Sequence, residues 1–228
     1  MRRLILWVID EQHKAEQQVS EASVKRHMPD VDTRCFVVQK QVTWYDVYIK
    51  QLQKTLTLPA SDSNGLRGIY YDQFLFLDSD TYLCEPVYDI FELLTKYDVA
   101  STRAPALQTT DMPSDYHIPD SYPEMNTGVF AYANTSQVSQ LFDWWEIEYY
   151  KMLPVSNDND QAPLRAAMWE QGTKCYVMPN EYNFRWGFGG FAAGRIKILH
   201  GRSKDIDKLV ELVNQDTQMR TFQRGTLQ

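Results

Sequence analysis

The chain has 228 residues, and its 23 lysines and arginines stand against 30 aspartates and glutamates, so that the formal net charge is −7. This acidic balance excludes nonspecific binding to nucleic acid, which depends on a basic surface that releases counterions. Hydrophobic residues make up 43% and aromatic residues 13% of the chain. Such a chain is too apolar to be disordered, and we expect it to bury a hydrophobic core.

We expect a soluble cytoplasmic protein with no transmembrane segment. The longest apolar run near the start covers residues 4–9, whereas a membrane-spanning helix needs about 20 apolar residues. The three cysteines, Cys35, Cys84 and Cys175, are far apart and form no C-x-x-C motif. This spacing favours reduced thiols over a disulfide framework or a zinc site.

The first hundred residues alternate short apolar runs with amphipathic segments, which is typical of an α/β protein. The predicted strands and helices follow in chain order: strand 4–9, helix 15–27, strand 33–38, helix 45–56, strand 74–77, helix 88–94 and a strand that begins at Val99. Between them, residues 59–68 predict a polar loop. The continuous apolar run 74–77 is typical of a central strand that is covered on both faces.

The second half begins with a segment, residues 103–125, that has no periodicity and contains four prolines, and it predicts a long loop. The elements predicted after it are strand 128–132, helix 136–150, helix 161–170, strand 175–178, the glycine-rich aromatic segment 183–194, strand 196–199 and helix 205–213. We find neither repeats nor a linker between domains, so the pattern predicts a single domain.

One pair of carboxylates is marked by its context. The D-x-D pattern occurs at four places: Asp30/Asp32, Asp78/Asp80, Asp158/Asp160 and Asp205/Asp207. Only Asp78 and Asp80 directly follow a predicted buried strand, and in open α/β sheets ligands bind at that end of the strands. Two neighbouring carboxylates repel each other unless a cation lies between them. This pair therefore predicts a divalent metal site, with a solvated turn as the alternative interpretation.

A histidine near the other end of the chain extends the predicted site. His200 follows an apolar segment and precedes Gly201, Arg202 and Lys204. A glycine that allows close backbone approach, next to two cations, suits a phosphate group. An imidazole added to two carboxylates shifts the preferred metal toward manganese or another first-row cation. A structural role for His200 is the alternative.

Two further segments are candidates for the same site. Asn126 and Gly128 lie where the long loop enters a strand, although an asparagine there is also a common turn residue. Asp160 and Gln161 lie just before a helix, where Asp160 would also serve as an N-cap. Spacing alone leaves both alternatives open.

Taken in order, the blocks Leu77-Asp78-Ser79-Asp80, Met125-Asn126-Thr127-Gly128, Asp158-Asn159-Asp160-Gln161 and Leu199-His200-Gly201 resemble the metal-dependent GT-A glycosyltransferases. The nearest likeness is to the retaining group that includes glycogenin and the bacterial lipopolysaccharide galactosyltransferases. The resemblance implies an α/β GT-A fold with a mostly parallel central sheet flanked by helices. It covers about residues 1–205. It also divides the domain 1–228 into a nucleotide-binding half at about 1–100, which contains the D-x-D motif, a sugar and acceptor half at about 101–205, and a C-terminal helix and tail at 206–228.

The resemblance also implies roles for individual residues. Asp78, Asp80 and His200 would hold Mn²⁺, or another divalent cation such as Mg²⁺, and Asp160 and Gln161 would face the anomeric carbon of the sugar. The residues that it implies for donor binding are Asn126, Gly128, Lys50, Arg67, Ser79, Gly201 and Lys204. The family usually has His-x-x-Gly-x-x-Lys, whereas here Gly201 follows His200 directly.

The implied activity is transfer of a sugar, with retention of configuration, from a nucleotide-diphosphate sugar. UDP-sugar is the favoured donor, and the acceptor is an unknown carbohydrate, lipid-linked or protein molecule. Two alternatives stay open. One is a catalytically inactive module that binds nucleotide sugars. The other is a phosphatase of the haloacid-dehalogenase type, which also places D-x-D after an apolar strand.

Overall fold

The fold is given by a computed structural model of the protein, which describes residues 1–39, 44–58, 70–105, 116–156 and 159–224. The strands in these ranges are β1 (Arg3–Ile9), β2 (Asp32–Val37), β3 (Gln73–Leu77), β4 (Thr81–Leu83), β5 (Val99–Arg103), β6 (Met125–Ala133), β7 (Cys175–Met178), β8 (Phe184–Arg185), β9 (Gly190–Ala192), β10 (Ile198–His200) and β11 (Arg220–Phe222). The helices are α1 (Lys14–His27), α2 (Trp44–Thr55), α3 (Tyr88–Leu93), α4 (Ser136–Ser156), α5 (Gln161–Gln171) and α6 (Ile206–Asn214). Short 3-10 helices span Glu11–His13, Asn180–Tyr182 and Trp186–Phe188.

The central sheet has six strands in the order β2-β1-β3-β6-β5-β7. Strand β6 is antiparallel to both of its neighbours, whereas the other pairs in the sheet are parallel. The predicted α/β fold, with a mostly parallel central sheet flanked by helices, is confirmed. The reversed direction of β6 matters for the site, because its first residues lie beside the carboxyl end of β3.

Alternate side chains of the central strands enter two hydrophobic cores, one on each face of the sheet. In β1, Leu4, Leu6 and Val8 pack on one face with residues of α2, α4 and α5. Ile5 and Trp7 pack on the opposite face with residues of α1 and α3. Because both faces are covered, the central strands read as continuous apolar runs, and this property made them recognisable in the sequence.

Two smaller sheets lie beside the central one. One has the order β4-β10-β8, and the other joins β11 to β9. A third hydrophobic cluster, which includes Leu199, Leu209 and Val213, packs α6 against the first of these small sheets. Strand β10 is antiparallel to β4, with His200 opposite Thr81. This pairing brings a residue from near the end of the chain to the turn that follows β3.

The predicted elements agree with the structure along most of the chain, and the differences have physical causes. The strands β4, β8, β9 and β11 were not predicted, because each is only two or three residues long and shows no period. Helix α4 continues to Ser156 rather than ending at 150, with Pro154 in its last turn. The predicted loop 59–68 lies outside the described residues.

The region around Asn126 requires a correction. Asn126 is not a turn residue, because β6 begins at Met125 and the whole strand is buried. The predicted loop 103–125 is shortened at both ends, by Arg103 of β5 and by Met125, and its residues 106–115 lie outside the described ranges. His200 is the last residue of β10 rather than the residue after a strand.

The thiols of Cys35, Cys84 and Cys175 are free, as predicted. None of the helices in the described ranges combines the length and the apolar composition that crossing a bilayer requires.

Candidate metal and donor site

The site begins in the tight turn between β3 and β4, which carries Asp78, Ser79 and Asp80. The hydroxyl of Thr81 donates to the carbonyl oxygen of Asp78 over 2.8 Å, and the backbone amide of Asp78 donates to the carbonyl oxygen of Gly128 over 2.8 Å. The Thr81 hydroxyl is also 3.1 Å from that of Ser20, a buried residue of α1. The turn is therefore fixed from both sides before any ligand binds.

Strand β10 brings His200 to this turn. The backbone amide of Gly201 donates to the carbonyl oxygen of Asp80 over 2.9 Å. The His200 Nε2 atom lies 3.3 Å from Asp78 Oδ2 and 3.4 Å from Asp80 Oδ1. One potential ligand atom from each of the three residues lies within 4.8 Å of the others. The three predicted metal ligands are thus brought together.

The ionisable groups of this cluster shift one another's pKa values. Burial by itself raises the pKa of Asp80, but the His200 hydrogen bond and charge, together with Arg202 and Arg185, lower it to about 2. Burial by itself lowers the pKa of His200, but its hydrogen bonds to Asp78 and Asp80 offset this effect, and the pKa is raised. The two carboxylates thus favour the protonated, positively charged form of the imidazole between them.

The donor set fits a first-row divalent cation. The side chains grade from half-exposed to buried, with exposed fractions of 45% for Asp78, 19% for Asp80 and 2% for His200. A cation could therefore enter the site from solvent on the Asp78 side. Two carboxylate oxygens and an imidazole nitrogen suit manganese better than an ion that prefers oxygen alone.

Gly128 of β6 lies against this cluster. A Cβ atom at this position would lie 2.2 Å from His200 Cε1 and 2.4 Å from Asp78 Oδ2. Any side chain would therefore displace two of the three candidate ligands. Glycine is needed here for space, since its φ is not in the left-handed region.

The start of β6 also positions Asn126. The pairing of β5 with β6 is irregular between Ser101 and Arg103, and the Ser101 hydroxyl donates to the carbonyl oxygen of Asn126 over 2.6 Å. β-Bulges of this kind are used to redirect side chains next to active sites. The Asn126 amide is 2% exposed, and its Nδ2 donates to Gln161 Oε1 over 3.3 Å.

Asp160 precedes α5, but its carboxylate makes no capping hydrogen bond. It instead accepts from the hydroxyl of Thr127 over 3.2 Å, and the carbonyl oxygen of Asp160 accepts from the indole of Trp145 over 2.9 Å. Burial, with a contribution from Asp78, raises the pKa of Asp160 to about 7 although the Thr127 hydrogen bond lowers it. The sequence left an N-cap open as an alternative, and the structure gives this side chain a different partner.

A cleft of about 250 Å³ opens beside the metal ligands, and Ser79, Asp80, Gly201 and Lys204 all line it. Three of the predicted donor-binding residues therefore share one cleft with a predicted metal ligand. Arg202, which the sequence offered as a phosphate contact, lines the same cleft while its Nε donates to Glu16 Oε1 over 2.6 Å.

Lys50 and Arg67 are the other two predicted basic contacts. Lys50 lies on α2, and its ammonium is 3.4 Å from Glu146 Oε1 on α4, so its predicted contact with the donor stays a prediction. Arg67 lies outside the described residues. The same holds for Asp158, the first residue of the third motif block.

The sequence did not single out two residues of the site. The buried Trp186 indole nitrogen makes no hydrogen bond in the described structure, and it would lie 2.9 Å from a Cβ at Gly201. The side chain of Asn183 contacts two site residues. Its Oδ1 lies 2.7 Å from His200 Nδ1, and its Nδ2 donates to Asn126 Oδ1 over 2.7 Å. Their only sequence signal was the aromatic, glycine-rich character of segment 183–194.

Comparison with known proteins shows which fold this is. No family model matches the sequence, and no curated protein matches it either. Among solved structures, the glycosyltransferase GlyE of Streptococcus pneumoniae TIGR4 matches with a TM-score of 0.55 at 16% identity, over 90% of this chain and 56% of that one. The chain therefore spans little more than half of GlyE.

Two further structures have the same fold. The galactosyltransferase LgtC, solved with donor and acceptor sugar analogues, matches with a TM-score of 0.56 at 12% identity, over 88% of this chain and 87% of that one. The bifunctional glycosyltransferase WbbM matches with a TM-score of 0.55 at 13% identity, over 90% of this chain and 46% of that one. The chain therefore has the glycosyltransferase fold that the sequence motifs indicated.

Proposed function

We propose that the protein is a metal-dependent glycosyltransferase. It moves a sugar from a nucleotide-diphosphate sugar, with UDP-sugar as the favoured donor, to a carbohydrate, lipid-linked or protein acceptor. The observation that carries the proposal is the cluster of Asp78, Asp80 and His200 at the carboxyl end of β3. It stands in a fold shared with glycosyltransferases and at the end of the strands where open α/β sheets bind ligands.

The three ligands would hold Mn²⁺ or another divalent cation such as Mg²⁺. When bound, the cation would neutralise the diphosphate and so make it a better leaving group. Other groups of the chain lie beside it. Ser79, Gly201 and Lys204 line the neighbouring cleft, and the buried indole N–H of Trp186 has no acceptor among the described residues. An ammonium, a hydroxyl and an indole N–H suit a diphosphate, because hydrogen bonds to a charged acceptor are stronger than those to a neutral one.

The opposite side of the site is built from Asn126, Asp160 and Gln161, all of which are buried. We place the anomeric carbon of the donor sugar against this side. As the bond from this carbon to the phosphate oxygen breaks, positive charge develops on the sugar, and carboxylate and amide oxygens stabilise it. Burial keeps these dipoles fixed and excludes competing water.

We favour a front-side displacement that retains the anomeric configuration. The acceptor hydroxyl attacks on the face from which the diphosphate leaves, the bond from anomeric carbon to phosphate oxygen breaks, and the hydroxyl proton passes to the departing oxygen. Gln161 is too weak a nucleophile for a stable covalent intermediate. Trapping a glycosylated Asp160 or Gln161, detected by mass spectrometry, would contradict this mechanism.

The test is a donor screen. Purified protein with Mn²⁺ is incubated with UDP-, GDP- and TDP-sugars, and release of the nucleoside diphosphate is measured with and without EDTA. We expect EDTA-sensitive hydrolysis that is fastest with one UDP-sugar. Binding of UDP without turnover, with any acceptor, would instead support an inactive binding module. Cleavage of p-nitrophenyl phosphate alone would support the phosphatase alternative, which the glycosyltransferase fold already disfavours.

A further inference from the structure

Four buried polar side chains form a continuous row from the metal ligands to the sugar side of the site. His200 Nδ1 is 2.7 Å from Asn183 Oδ1, Asn183 Nδ2 is 2.7 Å from Asn126 Oδ1, and Asn126 Nδ2 is 3.3 Å from Gln161 Oε1. None of the four is more than 7% exposed. The row runs through Asn183, which is not among the residues that the sequence motifs indicated.

The direction of every hydrogen bond in this row follows from one backbone group. The amide N–H of Gly128 can only donate, and it donates to Asn126 Oδ1 over 3.2 Å. Asn126 therefore presents its oxygen to Asn183, and Asn183 must donate a hydrogen bond from its NH₂ group. The remaining end of Asn183, its carbonyl oxygen, then faces His200.

This direction decides where the imidazole carries its proton. A carbonyl oxygen can only accept, so the His200 Nδ1 atom must bear a hydrogen in order to bond to Asn183. The hydrogen on Nε2 is then the one that a cation would displace, and the lone pair of Nε2 would bind the cation. Nε2 is the atom that lies 3.3 Å and 3.4 Å from the carboxylates of Asp78 and Asp80, where a cation would be held.

We propose that Asn183 is a positioning residue that holds His200 in the tautomer able to bind a cation and, through its other end, fixes the orientation of the Asn126 amide. The inference rests on the proposed function in so far as it assigns a cation to Nε2. Partners of this kind fix ring orientation and tautomer in metal sites and are worth 10- to 100-fold in metal affinity.

Backbone hydrogen bonds on both sides of Asn183 fix its position. Strand β8 begins at the next residue and is parallel to β10, with Arg185 opposite His200. The 3-10 helix Asn180–Tyr182 precedes it, and the backbone amide of Asn183 donates to the carbonyl oxygen of Asn180 over 3.1 Å. The Asn183 side chain is 1% exposed, so water would not replace it easily.

The experiment separates the two ends of the Asn183 amide. Asn183→Leu removes both hydrogen bonds at similar volume. Asn183→Asp keeps an acceptor for His200 Nδ1 but has no donor for Asn126. Asn134→Leu is the matched control, because Asn134 is a partly buried amide that donates to the carbonyl oxygens of Leu56 and Tyr71, away from the cluster.

The first readout is the nitrogen-15 spectrum of metal-free protein labelled at histidine, which reports whether the Nδ1 atom of the ring carries a hydrogen. The chain has 4 histidines, and His200→Gln identifies the signal of interest. We expect a hydrogen on Nδ1 in the wild type, in Asn183→Asp and in Asn134→Leu. In Asn183→Leu we expect Nδ1 to lose this hydrogen, because only Nε2, which faces Asp78 and Asp80, then has an acceptor.

The second readout is Mn²⁺ affinity, measured by electron paramagnetic resonance. We expect the dissociation constant to rise about 10- to 100-fold in Asn183→Leu and to stay within about threefold in Asn183→Asp and Asn134→Leu. Asn183→Asp should nevertheless slow hydrolysis of the sugar nucleotide, because it breaks the link to Asn126. Circular dichroism confirms that each variant is folded.

The inference is overturned if Asn183→Leu keeps both the Nδ1-protonated signal and the wild-type Mn²⁺ affinity. If Asn183→Leu does not fold, a His200 ring without a hydrogen on Nδ1 in Asn183→Asp overturns it equally well. Absence of Mn²⁺ binding to the wild type would contradict the proposed function instead, and the tautomer spectrum would still decide the role of Asn183.

Discussion

The two sides of the candidate site differ in how they hold their polar groups. On the metal side, Asp78 and Asp80 are partly exposed carboxylates that face a single imidazole. On the side that we propose for the sugar, Asn126 and Gln161 are buried amides that bond to each other. The metal side therefore carries charge that a cation would balance, whereas these two amides are neutral and already hold each other in place. One side thus suits an ion, and the other fixes the orientation of its polar groups.

Gly128 lies between the two sides, and substituting it should have the largest effect. In Gly128→Ala, the new methyl group would overlap both His200 and Asp78, so we expect loss of measurable Mn²⁺ binding and of turnover. The control is Gly187→Ala, because nothing lies within 4 Å of a Cβ at Gly187. Both variants are compared by Mn²⁺ titration and thermal unfolding. Wild-type Mn²⁺ affinity in Gly128→Ala would contradict the geometry of the site.

The metal side alone is tested by Asp80→Asn. Removing one charged ligand should weaken Mn²⁺ binding by about 100-fold, or about 2.7 kcal/mol, while the fold survives because Asp80 is not part of the core. Asp30→Asn, which changes a D-x-D aspartate that accepts from Tyr88 instead, should bind as the wild type does. Isothermal titration with Mn²⁺ measures both. Unchanged metal-dependent turnover in Asp80→Asn would exclude the assignment.

The sugar side is tested by Asp160→Asn through protein stability. The pKa of Asp160 is raised to about 7 from an ordinary value of 3.8. The favourable contribution of its carboxyl group to the free energy of unfolding is therefore complete below pH 3.8 and is lost as pH rises through 7. We expect Asp160→Asn to be about 2 kcal/mol more stable than the wild type at pH 8 in EDTA, with little difference at pH 4.

Urea denaturation at the two pH values measures this effect. Asp143→Asn, which changes an exposed carboxylate of α4, should alter both values by less than about 0.5 kcal/mol. The same gain at both pH values would show that ionisation of Asp160 is not its cause. If Asp160→Asn is more stable than the wild type but inactive, then Asp160 serves activity at a cost in stability, as is common for active-site residues.

The smallest effect concerns protons on the metal side. A cation must displace the proton from His200 Nε2, and the pKa of His200 is raised. Below that raised pKa, Mn²⁺ affinity should fall about tenfold per pH unit, with release of about one proton on binding. Titration calorimetry in buffers of different ionisation enthalpy measures this release. His200→Gln should bind more weakly and lose the dependence, whereas an unchanged slope would mean that another group titrates.

The sequence indicated residues on both sides of the site, but it left the contacts of the sugar side open. Asp78 and Asp80 follow an apolar run, and a strand buried on both faces leaves that signal in any sequence. His200 was found as a strand-end histidine beside a glycine. These inferences needed only local pattern, together with a resemblance in the order of the motifs.

Long-range pairing created the remaining contacts. The carboxylate of Asp160 bonds to Thr127 only because α5 packs beside β6. Asn183 reaches His200 and Asn126 because β8 pairs with β10, and a strand of two residues has no detectable period. Asn126 was open to interpretation as a turn residue, because it follows a long loop in the sequence, whereas the structure places it in a buried strand whose pairing with β5 is irregular.

The reversed direction of β6 has a consequence for how the protein can change. Strand β5 ends and β6 begins at the same edge of the sheet, with Arg103 opposite Met125. Arg103 and Met125, the residues that bound the intervening segment, are therefore neighbours. The length and composition of that segment could be exchanged between relatives, or by loop grafting in the laboratory, while the ligands stay in place. The same scaffold could in this way acquire a new acceptor without rebuilding its chemistry.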